Sequence, residues 1–478
     1  MNIALIIITA YMFALLFCSW WVTKKKASGA DASSFLMAGQ QLPGFLVAVT
    51  VAGLAIGGSA TVGVAQNAYS RGLSAGWYCF AWAFANLIYG AFFAKKYRSF
   101  SIKTVNELVR KVYGEKVSFV TVLMQFFNNF AMNAMQIVAG GAILAALLPE
   151  VFTTSTAMLV STIIFVAVAV VGGMWAASLS NVINITVIFF GLFTGVITAF
   201  NHFGGWGTVM SKLPENPHWF NLFSGMGAKT IMAWLVSLTF SALASQAMVQ
   251  SAVSARDAKQ ARIGFFVAAL LIIPVGFICP FIGLIAASEF PGLSNAALAL
   301  PSVMLSISPV VAGLALSGLW AADVSTATVL LVSQSTMLTR DLIVKYIKPD
   351  LSDKAQIIVS RVSMIAVALL GFLLATTVKS ILDAITTFMS VVSPLSVTCI
   401  LTIQFPKLAR KSTAAWVYAL GCPTFLLITL GIIPKIGGHA IYLTVLASII
   451  GWLISLIADK RPIDTSVLYA DGKVPEKK

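Results

Sequence analysis

Runs of 18 or more apolar residues recur along nearly the whole of this 478-residue chain, and they narrow its possible folds more than any other feature. A helical stretch of that length matches the hydrocarbon thickness of a bilayer. Hydrocarbon offers no hydrogen-bond partners, so a spanning backbone must satisfy its own amides as helices or as a closed barrel. Barrel strands alternate apolar and polar residues, whereas these runs are continuous. The chain therefore reads as one all-α integral membrane domain over residues 1–478. Composition agrees: 10% of the residues are charged, against about 25% in a soluble domain.

Thirteen spans are read near residues 2–22, 43–66, 73–94, 118–148, 155–173, 178–200, 228–250, 262–287, 302–339, 356–377, 379–404, 412–433 and 437–458. The loops between them alternate in charge. One set holds Lys24 to Lys26, then seven basic residues from Lys95 to Lys116, then Arg256, Lys259 and Arg262. It continues with five from Arg340 to Arg361, three from Lys407 to Lys411 and five from Lys460 to Lys478, giving 26 of the 31 Lys and Arg. The other set holds Arg71, Lys212, Lys229, Lys379 and Lys435. The positive-inside rule makes the first set cytoplasmic, with the N-terminus outside and the C-terminus inside, on opposite sides as an odd span count requires. The net charge of +15 is then a topology signature, and no nucleic-acid partner is called for.

Several features read as structural. Asn2 to Val22 lacks a basic leader and a small-residue cleavage site, so it is a retained helix rather than a cleaved signal. Cys18, Cys79, Cys279, Cys399 and Cys422 lie inside apolar runs, at spacings that suit neither a metal site nor a disulfide framework. His202, His218 and His439 fall in predicted loops on one side and form no metal cluster or triad. Phe200 to Lys229 is the longest outer connection. Lys95 to Lys116, with Thr104, Glu107 and Gly114, reads as a short amphipathic helix on the cytoplasmic surface, adequately explained as a headgroup anchor.

Polar and irregular residues inside spans are costly and mark candidate sites. Span 2 carries Gly53, Gly57, Gly58 and Gly63 within eleven residues. These allow close helix packing, or a helix broken at mid-membrane whose freed carbonyls coordinate a cation. Span 9 places Ala322, Ser325 and Thr326 at i, i+3 and i+4, on one face. Their hydroxyls are hard oxygen donors suited to Na⁺, or simply bond back along the helix. Asp323, about 100° round the helix, reads as half of an ion pair, as a contact for a cationic solute, or as a proton relay. Span 4 carries Gln125, Asn128, Asn129, Asn133 and Gln136, most of them on one face. Span 7 adds Ser241, Ser245, Gln246 and Gln250; span 11 adds Thr386, Thr387, Ser390 and Ser393. These groups either grip a polar solute or hold helices together. Gln66, Asn129, Asn133, Gln136, Ser245, Gln246 and Thr387 are taken as the solute-binding candidates.

On four stretches the chain resembles the sodium:solute symporter family, whose members share the inverted-repeat LeuT-type fold. Span 2 runs through Gly63 to Ala68-Tyr69-Ser-Arg-Gly72-Leu-Ser-Ala-Gly-Trp77. After span 3 comes Thr104-Val-Asn-Glu107-Leu, ending in Tyr113-Gly114. After span 7 comes Ser254-Ala-Arg-Asp-Ala-Lys-Gln-Ala-Arg-Ile-Gly264, and span 9 carries Ala322-Asp-Val-Ser325-Thr326. The order of the four, over nearly the whole chain, carries the resemblance. It implies two inverted five-helix repeats, within residues 43–200 and 228–404, one extra N-terminal helix, and two C-terminal helices within 412–458. It also implies one sodium site, built from the carbonyls of Gly53, Ile56 and Ala322 and the hydroxyls of Ser325 and Thr326. Glycine at 53, where relatives often have alanine, is harmless if only its carbonyl is used. Two departures stand out. Gly172 to Asn181 ends in a neutral residue where the family usually reaches an aspartate, and Thr328 is followed by Val329, so a second sodium is not expected. Asp323 is not a general family feature.

The resulting expectation is a sodium-coupled secondary active symporter. It would import a small polar organic solute, such as an amino acid, carboxylate or vitamin, by alternating access, as a multi-pass protein of the inner or plasma membrane. It would need no cofactor besides Na⁺ and work as a monomer. No nucleophile–base pair, phosphate-binding loop or metal motif suggests an enzyme. Two alternatives remain: proton coupling through Asp323 in the same fold, and a membrane solute sensor. Relatives occur fused to histidine kinases, but no kinase-like segment is read up to Lys478.

Overall fold

The computed structural model describes residues 3–22, 24, 32–293, 295–377 and 381–470. The expectations on Asn2, Lys25, Lys26, Lys379 and the lysines after residue 470 lie outside these. The described residues form helices, joined by short turns and two isolated β-bridges, with no strand among them. Among the described residues, ten helices are long and apolar enough to cross a membrane. The shorter apolar helices Ile6–Cys18, Gly44–Ala55 and Thr413–Thr429 fall on spans 1, 2 and 12 of the sequence reading.

Eight helices position the candidate site. They are α1 (Ile3–Val22), α2 (Gly44–Ala55), α3 (Val64–Arg71), α4 (Glu115–Leu147), α5 (Thr154–His202), α6 (Gly227–Ala244), α7 (Gln246–Ser254) and α8 (Pro309–Met337). Spans 5 and 6 are the two halves of α5, which kinks at Gly173 (φ 56°, ψ −148°), where the backbone of Phe35 leaves no room for a β-carbon. His202 is the last residue of α5 rather than part of a loop. Span 9 was drawn too early: Ala299–Ser306 is a separate short helix, and Pro309 opens α8 at a position where its missing N–H costs nothing.

The core is organised around α8, where every residue from Ala315 to Met337 is buried. Small residues let neighbours approach its backbone. A β-carbon on Gly318 would meet the Val187 carbonyl at 2.7 Å, and one on Gly191 the Leu314 carbonyl at 2.6 Å. Such contacts bind helices where lipid removes the hydrophobic drive to associate. The peripheral helix Asp353–Ala375 instead exposes Ile358, Val362, Leu369 and Leu373, an apolar face suited to acyl chains.

The loops gather at two ends of the bundle. At one, Arg98 Nε donates to the Ala255 carbonyl (2.6 Å), Lys345 pairs with Glu115 (2.9 Å), Ser101 N meets Leu468 O (2.7 Å) and Lys411 N meets Arg461 O (3.1 Å). This end includes Arg98, Lys345, Lys411 and Arg461 of the basic loop set. At the other, Leu73 N meets Trp219 O (2.9 Å), Lys212 pairs with Glu289 (2.9 Å), and Tyr442 donates to Lys229 O (2.6 Å). The amphipathic helix read after span 3 is Val105–Tyr113, capped by Thr104 Oγ1, which accepts from Glu107 N at 3.0 Å. It is more than a headgroup anchor, because Val105, Leu108, Val109 and Val112 are buried and Thr104 donates to the Asp341 carboxylate at 3.0 Å.

Candidate functional site

The glycines of span 2 interrupt its helix. α2 ends at Ala55, Ile56 leaves helical geometry (φ −90°, ψ 70°), and a π-turn over Ser59–Gly63 restarts the helix into α3. A break in a buried helix leaves amides and carbonyls to be satisfied. Here Gly58 N–H donates to Gln136 Oε1 of α4 at 2.7 Å. The missing side chains make that approach possible. A β-carbon on Gly57 would lie 2.4 Å from Gln136 Oε1 and 2.5 Å from Thr326 Oγ1; one on Gly58 would lie 2.1 Å from Ala139 Cβ.

Opposite the break, α8 presents the face read from its sequence. Ser325 Oγ lies 3.0 Å from Gly53 O and 2.8 Å from Ala322 O; Thr326 Oγ1 lies 2.6 Å from Gly53 O and 3.5 Å from Leu54 O. Two hydroxyls and the carbonyls of Gly53 and Ala322 thus converge on one fully buried point, at the C-terminal, electronegative end of α2. Ile56 contributes the turn that ends the helix beside them. Asn181 closes the cluster from α5. A β-carbon on Gly53 would lie 2.6 Å from Asn181 Nδ2, an atom with no hydrogen-bond partner among the described residues. Asn181 Oδ1 accepts from Asn184 at 3.1 Å, and Asn184 accepts from Tyr11 of α1 at 2.6 Å. Glycine at 53 is therefore more than harmless: it makes room for the asparagine.

Asp323 lies within one turn of Ser325 and Thr326 near the middle of α8, against the Gly58 backbone. It is 0% exposed, and neither carboxylate oxygen has a hydrogen-bond donor among the described residues. A Gly58 β-carbon would meet its Oδ1 at 2.2 Å, so only glycine lets the backbone lie on the carboxylate.

The remaining candidates divide. Asn129 and Asn133 are buried on α4; Asn129 Nδ2 and both amide atoms of Asn133 lack partners among the described residues. Gln136 serves the first break, as described. Ser245 sits at a second one, between α6 and α7, where its ψ of 129° departs from the helix. This break escaped the sequence reading. Gln125, one of the polar residues of α4, spans it: Nε2 donates to Ala244 O, and Oε1 accepts from Gln246 N at 3.2 Å. The Gln246 side chain points to the basic end, where its Oε1 accepts from Val105 N at 3.0 Å. Gln66 and Thr387 are half-buried, on α3 and on the helix Ile381–Met389.

A broken helix facing a hydroxyl-bearing helix in an all-helical membrane bundle suits a transporter. The family model described as "Sodium:solute symporter family" matches residues 35–421. The chain belongs to the sodium:solute symporter family. Among this symporter's relatives, the sodium/glucose cotransporter of Vibrio parahaemolyticus is 24% identical over 410 residues, covering 78% of this chain and 74% of the relative. The osmoregulated proline transporter of Bacillus subtilis (strain 168) is 24% identical over 500 residues, covering 98% and 97%. A solved structure of a Na⁺-coupled sialic acid symporter, described as substrate-bound and outward-open, superposes with a TM-score of 0.81 at 16% identity, covering 96% of this chain and 98% of that one. The symporter has the LeuT-type fold, and its family consists of transporters rather than enzymes.

Proposed function

We propose that this symporter imports a small polar organic solute down the sodium gradient, with one Na⁺ held by Gly53, Ile56, Ala322, Ser325 and Thr326. The observation that carries this reading is the Gly53 carbonyl, which accepts from Ser325 Oγ and Thr326 Oγ1 together across two helices. Oxygen donors alone, at a helix C-terminus, suit a hard monovalent cation. A cation there ties α2 to α8 and favours one member of the alternating-access pair. By linkage, sodium and solute then strengthen each other's binding equally. An inside-negative potential adds about 2.3 kcal/mol per charge per 100 mV to inward movement. The breaks at Ile56 and Ser245 each fall in the first helix of a proposed repeat, which supports the division into residues 43–200 and 228–404, followed by the helices within 412–458. The clustering of basic loops supports a cytoplasmic C-terminus and an outer N-terminus, in an inner or plasma membrane; the working unit is taken to be the monomer.

The test is uptake into proteoliposomes under imposed sodium or proton gradients. Wild type should accumulate solute only with inward sodium, and Ser325→Ala or Thr326→Ala should raise the sodium concentration for half-maximal uptake by about tenfold or more, as expected for loss of a liganding group to a charge. Uptake that survives sodium removal, requires an inward proton gradient, and fails in Asp323→Asn although solute binding is retained would establish the proton reading. Absence of accumulation with retained solute binding would point to a sensor.

A further inference from the structure

Resting on the transport reading, we infer that Asp323 is the anchor for a cationic nitrogen of the solute, which makes the solute class amines: amino acids, other zwitterions or organic cations. The starting point is a buried carboxylate with no donor among the described residues on either oxygen. A carboxylate taken out of water is costly unless a charge and hydrogen-bond donors replace the hydration shell. An ammonium supplies both at once, in the charge-assisted bonds that are the strongest of their kind.

The surroundings favour an organic nitrogen over a second metal ion. The Gly58 backbone lies against Asp323 with the Ala139 methyl close by, and the amide oxygen at this point, Gln136 Oε1, is already taken by Gly58 N–H. A hard cation needs a ring of oxygens, and that ring forms instead at Gly53, Ala322, Ser325 and Thr326. A solute-sized partner is also indicated by both amide atoms of Asn133, which lack partners among the described residues and lie three residues from Gln136 on one face of α4.

The same geometry argues against anionic solutes. The start of a half-helix attracts carboxylates through its free N–H groups and dipole. At the restart of span 2, that position is already filled from within the chain by Gln136 and the Asp323 carboxylate, both against Gly58. A solute carboxylate entering there would meet like charge.

The experiment is a thermal-stability and uptake panel on the full-length purified symporter, in sodium and in potassium. The probes are the twenty common amino acids, choline and putrescine, set against hexoses and nitrogen-free mono- and dicarboxylates. Wild type should be stabilised and loaded only by probes bearing a cationic nitrogen. Asp323→Asn, nearly isosteric, should weaken the responding probe by about 30-fold or more, and Asp323→Glu should retain part of the binding. Sodium-induced stabilisation of Asp323→Asn without solute reports that the variant is folded and its cation site intact. A response confined to hexoses or nitrogen-free acids, no response to any nitrogen cation, or an Asp323→Asn affinity within twofold of wild type would each overturn the inference. If Asp323→Asn does not fold, the wild-type selectivity decides alone. Failure of the sodium reading is separate: amine probes would then stabilise wild type equally in sodium and potassium.

Discussion

Gly53 meets two demands at one position. Its carbonyl faces Ser325 and Thr326, and its missing side chain leaves space for Asn181, whose Nδ2 would lie 2.6 Å from an added β-carbon. Gly53→Ala should therefore lower stability by about 1–3 kcal/mol through overpacking. Asn181→Ala in the same chain should restore most of the loss, since the shared contact makes the two changes non-additive. Melting curves of the two single variants and the double variant check this; additive losses would show that the asparagine is not what the methyl strikes. At this scale the sequence was informative about chemistry and silent about neighbours. Ser325 and Thr326 announce themselves as polar atoms on one helical face in hydrocarbon. That Asn181 shares their cluster depends on α5 crossing α8 and α2, a contact across more than 120 residues that no local pattern encodes.

At the level of elements, both helix breaks depend on glutamines of α4. Gln136 accepts from Gly58 N–H, and Gln125 both donates to Ala244 O and accepts from Gln246 N. Replacing either by leucine leaves buried backbone groups without partners, at about 1–3 kcal/mol for each group. Gln136→Leu and Gln125→Leu should each lower the melting temperature and slow transport, whereas Asn128→Leu should do so less, since the Asn128 hydrogen bonds among the described residues go to Asn129 and Met132 of its own helix. Equal effects of all three would assign the glutamines a lining role instead. The break at span 2 was legible because four glycines weaken a helix whatever surrounds it. The break at Ser245 was not, since Leu-Ala-Ser-Gln contains no breaker. Its geometry is held from outside by a side chain some 120 residues earlier. The stripe on α4 was visible as polar, yet periodicity cannot distinguish a side chain that lines a cavity from one that caps a neighbouring helix.

For the molecule as a whole, hydropathy and loop charge carried most of the fold. The two loop clusters keep the expected charges apart, with Lys345–Glu115 at the basic end and Lys212–Glu289 at the other. The boundary between spans 5 and 6 falls at the Gly173 kink as read, whereas the start of span 9 was missed because a helix stops within an apolar stretch before Pro309. Orientation is open to direct measurement. A cysteine replacing exposed Lys435 should react with a membrane-impermeant thiol reagent in intact cells, and one replacing exposed Lys407 only after permeabilisation. The reverse pattern would invert the topology.

Gln125 and Gln136 are eleven residues apart on one straight element. Eleven residues of α-helix are three turns plus about 20°, so the two side chains leave the same face about 16 Å apart. One rod thus grips both discontinuities of the bundle, so a tilt or roll of α4 would act on both. The breaks at Ile56 and Ser245 thus share one crankshaft, a single helix through which the geometry of the cation-facing half is tied to that of its counterpart.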